Sequence, residues 1–182
     1  MRARDIPNLL CVLRIALTVP IGWSIVEGRY PAALVMFFIA GLTDALDGFL
    51  AKRFHWQSRL GGFLDPAADK LLLVTAFVTL WAAGYVPGWL LAAVVLRDLV
   101  IVAGAGVYQW RVGDFTAEPT IISKCNSFLQ LLYILLSLAA LVFALPPRGL
   151  IDGLGWAVLA TTIVSGCDYV IRWSGRARAA NA

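Results

Sequence analysis

About six long apolar segments follow one another along this chain, and they constrain its fold more than any other feature. Each segment is close to the roughly 20 residues that a helix needs to cross the ~30 Å hydrocarbon core of a bilayer. We place the segments at 8–27, 31–53, 62–83, 88–110, 124–145 and 150–173. Hydrophobic residues fill 60% of the 182 positions and charged residues only 14%, which is more apolar surface than a soluble domain of this size can bury. The sequence therefore predicts an all-α membrane protein with six transmembrane helices.

The breaks between these segments are short and rich in glycine and proline. Three of them lie at 27–31, 84–88 and 146–149, and connections this short place consecutive helices side by side and antiparallel. Because no internal repeat or low-complexity tract interrupts this pattern, we predict a single membrane domain over 1–182. Apolar and polar residues recur at helical spacing over 6–14, which predicts a short N-terminal interfacial helix leading into the first span.

Lysine and arginine are distributed unevenly between the two sides of the six-helix path. Arg29 and Arg148 lie on the side away from the termini, while the side that holds both termini carries many more. These are Arg2, Arg4, Lys52, Arg53, Arg59, Arg111, Arg172, Arg176 and Arg178. The positive-inside bias predicts that the side with the termini is cytoplasmic, and we expect the membrane to be a bacterial inner membrane. Topology and anionic headgroups then account for the net charge of +4, and we expect no nucleic acid partner.

Four aspartates lie inside segments that otherwise look like membrane spans, Asp44 and Asp47 in the second and Asp65 and Asp69 in the third. Their spacings of three and four residues place each pair on one helix face. An antiparallel hairpin brings these two faces level with each other. Ionised carboxylates are costly in apolar surroundings, so a positive partner is required. Because Mg²⁺ and Mn²⁺ prefer carboxylate and water oxygen, the sequence predicts a site for two such ions.

Two classes of function fit a cluster of intramembrane acids. Paired divalent ions would clamp a phosphoryl group, and Gly48 and Gly61 would leave room for a phosphate or nucleotide beside the backbone. Cation channels and proton-coupled carriers also hold such acids. The acids cluster near one face of the membrane instead of crossing it, which favours phosphoryl chemistry over a channel or carrier. The cysteines, Cys11, Cys125 and Cys167, form no CxxC pair, and we interpret them as small packing residues.

The stretch from Asp44 to Asp69 closely resembles the signature of the CDP-alcohol phosphotransferase family, D-x2-D-G-x2-A-R-x8-G-x3-D-x3-D. The sequence reads D-A-L-D-G-F-L-A-K, followed after eight residues by glycine and then by the last two aspartates at the same offsets. Lys52 stands where the family usually has arginine, so either Lys52 or Arg53 would supply that charge. Further similarity covers the stretch 6–10 with Arg14, and the stretches 64–70 and 119–127.

The resemblance implies an enzyme that transfers the phosphatidyl group of CDP-diacylglycerol to an alcohol and releases CMP. It implies that the metal ligands are Asp44, Asp47, Asp65 and Asp69, and that Asp69 is also the general base. It implies donor contacts from Asp47, Gly48, Ala51, Lys52 and Gly61. It further implies a homodimer in the lipid bilayer.

Two acceptor alcohols remain open. The stretch 41–49, with Arg97 and 119–127, is most similar to the cardiolipin synthases of the family, whose acceptor is phosphatidylglycerol. The first half also resembles the phosphatidylglycerophosphate synthases, which use glycerol 3-phosphate. We place Arg97 and Lys124 at the cytoplasmic ends of helices four and five, where they would bind an acceptor phosphate. Arg97 could equally form an ordinary ion pair with the adjacent aspartate. Two cations suit a phosphodiester better than a dianion, so we favour cardiolipin as the product. The predicted acceptor contacts are Arg97, Lys124, Asn8 and Arg14.

Overall fold

The computed structural model describes the backbone of residues 6–54, 59–112 and 120–180, and the side chains of most of them. Six helices and no strand make up this part of the chain. They are α1 (Ile6–Val26), α2 (Tyr30–Phe54), α3 (Arg59–Ala82), α4 (Gly88–Val112), α5 (Ile121–Phe143) and α6 (Arg148–Ala180). Every helix begins and ends within three residues of a predicted span, apart from the C-terminal end of α6. The predicted all-α fold is confirmed.

The first helix differs from the prediction. Residues 6–26 form one continuous helix, where the sequence had suggested a separate short interfacial helix before the first span. No glycine or proline lies between Asn8 and Val19, so nothing in the sequence interrupts the backbone hydrogen bonds between the first turns and the rest of α1. The polar and apolar residues at its start therefore belong to the same continuous helix as the apolar residues that follow.

Glycines end α1 and α3 in the same way. Gly28 and Gly84 have positive φ angles of 72° and 82°, which a residue with a Cβ rarely adopts. The N–H of Gly28 donates to the carbonyl of Ile25 at 3.1 Å, and Gly84 makes the equivalent bond at 2.9 Å. In both turns the next residue donates to the carbonyl five positions back, which completes a Schellman cap. The predicted breaks after the first and third spans are confirmed.

The chain divides into two compact units, of which the first comprises Met1–Val86 and Ile134–Arg148. In this unit α1 packs against both α2 and α3. A Cβ placed on Gly22 of α1 would lie 2.9 Å from Cγ2 of Thr75 on α3, so the close approach of these helices requires glycine here. The buried apolar residues of α1, α2 and α3 include Ile21, Ile25, Ala33, Phe37, Ala40, Ala68, Leu72, Ala76, Phe77 and Leu80.

The second unit comprises Pro87–Tyr133 and Gly149–Ala182, and its interior holds more polar side chains. The hydroxyls of Thr161 and Thr162 on α6 both donate to Oδ1 of Asn126 on α5 at 2.9 Å. The rings of Trp89 and Trp156 stack with their centroids 4.9 Å apart. Among its described side chains, the buried polar residues are Arg97, Asp98, Ser123, Asn126, Gln130, Thr162 and Ser165. Hydrogen bonds between helices, in addition to apolar packing, therefore hold the second unit together.

Three of the described helices are long and apolar enough to cross a membrane. The qualifying stretches are Leu9–Val26, Ile121–Phe143 and Arg148–Ile171. The apolar part of α2, Tyr30–Asp44, is shorter. Charged residues interrupt the other helices, because α2 and α3 contain the aspartates and α4 contains an arginine and an aspartate near its middle. Length and composition alone thus support three spans.

Candidate active site

The structure brings together three of the four predicted aspartates. Asp44 lies on α2, and Asp65 and Asp69 lie one turn apart on α3. One carboxylate oxygen from each lies within 4.8 Å of the other two. The three side chains are partly exposed, at 36%, 41% and 44% of their maximum. This set of oxygens is close enough to ligate one cation, and its partial exposure leaves access for water or substrate.

A buried arginine on α1 contacts all three carboxylates. Nη1 of Arg14 lies 2.9 Å from Oδ1 of Asp44 and 3.2 Å from Oδ1 of Asp65, and it also contacts Oδ1 of Asp69. The side chain of Arg14 is 0% exposed. Since α1 packs against both α2 and α3, a side chain on its inner face reaches acids from both helices. Sequence reasoning placed Arg14 among the acceptor contacts; the structure places it in the aspartate cluster, and its role toward an acceptor stays a prediction.

Sequence reasoning missed a thiol at this site. The Sγ of Cys11 donates to Oδ1 of Asp65 at 3.4 Å, and Cys11 is 2% exposed. Our interpretation of this cysteine as a packing residue is therefore incomplete. The spacing of three residues between Cys11 and Arg14 places both on one face of α1, and this was the only signal in the sequence that could have linked the thiol to the acids.

The predicted donor contacts lie outside the described side chains. The side chains of Asp47, Ala51 and Lys52 are not described. Of Gly48 and Gly61, only the helical backbone is described. Asn8 also falls outside the described side chains. Arg53, the other candidate for the family arginine, is exposed in the last turn of α2. The roles of these residues stay predictions.

Arg97 does not lie at the end of a helix as predicted. It is the tenth residue of the 25 in α4 and is 5% exposed. Its Nη1 lies 2.9 Å from Oδ1 of Asp98, and its Nη2 donates to the hydroxyls of Ser123 at 2.6 Å and Ser165 at 2.7 Å. A charge in the middle of a helix is tolerated here because an aspartate and two hydroxyls compensate it. Lys124, by contrast, is exposed in the first turn of α5, at the helix end where it was predicted.

The donor atoms of the aspartate cluster fit a hard divalent cation. Three carboxylates and one arginine leave a net charge of −2 (−3 + 1), which one divalent ion neutralises. Carboxylate oxygen is the ligand that Mg²⁺ and Mn²⁺ prefer. A second ion would need further negative charge, for which Asp47 and a diphosphate substrate are the candidates. Asp44, Asp65 and Asp69 are therefore the described residues that could hold a metal.

Comparison with known proteins identifies the class to which this site belongs. Residues 4–166 match the CDP-alcohol phosphatidyltransferase family. The chain belongs to this family. The match spans all the described residues named above at the aspartate cluster and around Arg97, so the recognition made from the motif is confirmed.

Individual relatives of this phosphatidyltransferase family carry both of the activities that the sequence left open. The chain is 35% identical to a probable cardiolipin synthase (CMP-forming) from Drosophila melanogaster, over 91% of this chain and 56% of the relative. It is 36% identical to the human cardiolipin synthase (CMP-forming), over 76% and 51%. It is 32% identical to a chloroplastic CDP-diacylglycerol--glycerol-3-phosphate 3-phosphatidyltransferase from Oryza sativa subsp. japonica, over 94% and 58%. The matched region thus spans between half and three-fifths of these curated relatives.

Proposed function

We propose that this chain transfers the phosphatidyl group of CDP-diacylglycerol to an alcohol and releases CMP. The observation that carries the proposal is the convergence of three carboxylates, one from α2 and two from α3, within 4.8 Å in a chain of the CDP-alcohol phosphatidyltransferase family. In the reaction a new bond forms between the acceptor oxygen and the phosphorus of the phosphatidyl group. The bond from that phosphorus to the CMP oxygen breaks, and CMP leaves.

Asp44, Asp65 and Asp69, together with Asp47, would hold two Mg²⁺ or Mn²⁺ ions. When bound, such ions stabilise negative charge on phosphoryl oxygens during the transfer. Asp69 takes the proton of the acceptor hydroxyl, because a carboxylate beside the reacting phosphoryl group can act as a general base. Its partial exposure, 44%, is consistent with access by an alcohol.

The donor nucleotide is proposed to bind beside the aspartates on α2 and α3. Gly48 follows Asp44 by four residues and Gly61 precedes Asp65 by four, so each glycine lies on the same helix face as its aspartate. Small residues there would let the diphosphate approach the backbone. Asp47, Ala51 and Lys52 complete the proposed donor contacts.

For the acceptor we propose phosphatidylglycerol, with cardiolipin as the product. Asp98 compensates most of the charge of Arg97 at 2.9 Å, and the aspartate cluster compensates that of Arg14. Within the described side chains, Lys124 is thus the one proposed acceptor contact whose charge is not shared with an acid. Nε of Arg97 has no hydrogen-bond partner in this part of the chain and remains available to a phosphate. One full positive charge and one spare N–H suit a phosphodiester of charge −1 better than a phosphate monoester.

Glycerol 3-phosphate is the second candidate acceptor. The relative from Oryza sativa, which is named for that substrate, matches 94% of this chain, compared with 91% and 76% for the two cardiolipin synthases. A dianion would require additional basic groups, and most of the remaining arginines on the side of the termini lie outside the described side chains. The charge argument therefore favours phosphatidylglycerol, and a direct assay decides between the two.

We further propose that all six helices cross the bilayer and that 1–182 forms one membrane domain. The other three helices, α2, α3 and α4, contain charged residues. Asp98 balances the charge of Arg97 on α4, and Arg14 offsets part of the charge of the aspartates on α2 and α3, so these charges need not exclude the helices from the bilayer. The excess of lysine and arginine on the side of the termini supports a cytoplasmic active site in a bacterial inner membrane. A homodimer completes the proposed assembly.

The decisive experiment supplies purified protein with CDP-diacylglycerol, Mg²⁺ or Mn²⁺, and each acceptor in turn. We expect cardiolipin and CMP in equal amounts with phosphatidylglycerol, measured by mass spectrometry of the lipids and chromatography of the nucleotide. Phosphatidylglycerophosphate from glycerol 3-phosphate, without cardiolipin, would overturn the acceptor and leave phosphatidyl transfer standing. Ion flux into liposomes without CMP release would support the channel or carrier alternative.

A further inference from the structure

Arg14 has an unusual position among the charged residues of this chain. Arg14 is the largest of the fully buried side chains that the structure describes. Its guanidinium contacts acids from two different helices. Its backbone carbonyl accepts a hydrogen bond of 2.9 Å from the hydroxyl of Thr18, one turn further along α1. An arginine does not lose its proton in a protein, so this position holds a permanent positive charge.

A single nitrogen of Arg14 serves three acceptors. Nη1 lies against the Oδ1 atoms of Asp44, Asp65 and Asp69, but it carries only two hydrogens. At most two of the three contacts can be full hydrogen bonds at one time. A structural ion pair ordinarily presents two nitrogens to one carboxylate, and the arrangement here is different because one nitrogen is shared among three oxygens. Among the described residues, the thiol of Cys11 adds a further donor to Asp65, and the one positive charge of Arg14 is shared among three carboxylates.

From this geometry we infer that Arg14 is the resident counter-ion of the aspartate cluster and that it competes with a divalent cation for the same three Oδ1 atoms. The inference rests on the metal site proposed above. A cation that takes these oxygens must displace Nη1, so Arg14 weakens the first metal-binding step. When metal is removed, Arg14 reduces the repulsion among carboxylates whose oxygens lie within 4.8 Å of one another. Arg14 thus sets the metal concentration that the site requires and stabilises the contacts of α1 with α2 and α3.

The test measures Mn²⁺ binding, without any lipid substrate, to full-length protein in detergent that has been stripped with a chelator. Arg14→Gln removes the charge and keeps much of the side-chain length, whereas Arg14→Lys keeps the charge. Arg29→Gln is the matched control, since Arg29 is 71% exposed and pairs with Glu27 away from the cluster. Free Mn²⁺ is followed by electron paramagnetic resonance, and unfolding is followed by the melting temperature with and without Mn²⁺.

We expect Arg14→Gln to bind Mn²⁺ about tenfold more tightly than the parent protein, a change that corresponds to one competing charge removed. The chelated variant should melt at a lower temperature than the chelated parent, and Mn²⁺ should raise its melting temperature by more. Arg14→Lys should fall between the two, and Arg29→Gln should match the parent in both measurements.

Each outcome decides the inference. If Arg14→Gln binds Mn²⁺ as tightly as the parent protein or more weakly, the inferred competition between Arg14 and the cation is wrong. The proposed metal site would still stand in that case, provided that the parent protein binds Mn²⁺ and Asp69→Asn does not. A parent protein that binds no Mn²⁺ overturns both this inference and the proposed metal site. If Arg14→Gln folds only when Mn²⁺ is present during purification, the cation replaces the lost charge and the inference is supported. If it stays unfolded with Mn²⁺ as well, Arg14 is needed for packing alone and the inference fails.

Discussion

Each of the two units contains a buried arginine beside acidic residues, and the two arrangements differ in how far the charges are compensated. Around Arg97, one aspartate balances the charge and two serine hydroxyls occupy Nη2. Around Arg14, three carboxylates share one nitrogen and leave a net charge of −2 (−3 + 1). The first cluster is 5% and 9% exposed at its two charged residues, whereas the aspartates of the second are more than one-third exposed. Compensated and buried charges hold helices together, while uncompensated and accessible charges mark a place where a cation can bind.

Asp69→Asn should give the largest effect. It should lower activity without lowering stability, which distinguishes the aspartate cluster from the cluster around Arg97. The amide keeps the size of the side chain but cannot take up the proton of the alcohol substrate. We therefore expect turnover to fall by about 10²-fold or more, while binding of CDP-diacylglycerol is largely kept. CMP release and a donor-binding assay check this. Removal of one of several repelling carboxylates should leave the melting temperature unchanged or higher. Near-normal turnover would show that Asp69 is not the base.

Asp98→Asn should lower stability and leave the metal dependence of activity unchanged, the opposite of Asp69→Asn. The change leaves the buried charge of Arg97 without its acid, so we expect the free energy of unfolding to fall by about 2 kcal/mol. The residual activity should keep the metal dependence of the parent protein. The melting temperature and an Mn²⁺ titration of activity are the measurements, with Asp152→Asn on the exposed start of α6 as the control. An unchanged melting temperature would contradict the view that this cluster is structural.

Ser165→Ala should have a smaller effect of the same kind. It removes one of the two hydroxyl contacts of Nη2 on Arg97, for which we expect a loss of about 1 kcal/mol in stability. If Arg97 also positions the acceptor, KM for phosphatidylglycerol should rise while KM for CDP-diacylglycerol stays constant. A rise in both values would instead indicate a general distortion of the active site, whereas a loss of folded protein would lower the maximal rate and leave both KM values unchanged.

Lys124→Ala should give the smallest effect. Lys124 is exposed, so its loss should leave the melting temperature within error, and we expect KM for phosphatidylglycerol to rise about threefold through the loss of one charge contact. Lys124→Arg should retain most of the acceptor affinity. Equal KM values for the alanine variant and the parent protein would remove Lys124 from the acceptor site.

Sequence patterns predicted the helices and part of the site for physical reasons that can be named. Apolar runs with glycine and proline between them fix where helices begin and end, and Gly28 and Gly84 end α1 and α3 as expected. Spacing within α2 and α3 predicted that Asp44 would meet Asp65 and Asp69. The ion pair of Arg97 with Asp98 was one of two interpretations that the sequence allowed. The serine partners of Arg97 and the aspartate partners of Arg14 were not predictable, because they depend on how each helix is rotated about its axis against its neighbours. Cys11 carried no periodic signal strong enough to identify the inner face of α1.

Gly22 links the packing of the first unit to the geometry of its site. It lies eight residues after Arg14 on α1, about 12 Å along the helix axis, and it has no chemical group to offer a substrate. Yet its contact with Thr75, at 2.9 Å from an added Cβ, sets the distance between α1 and α3. A larger residue would move α1 away from α3 and lift the arginine from the carboxylates. A genetic screen for inactive variants would therefore recover substitutions of Gly22 beside those of the aspartates, although a structural spacer and not a reactive group has been altered.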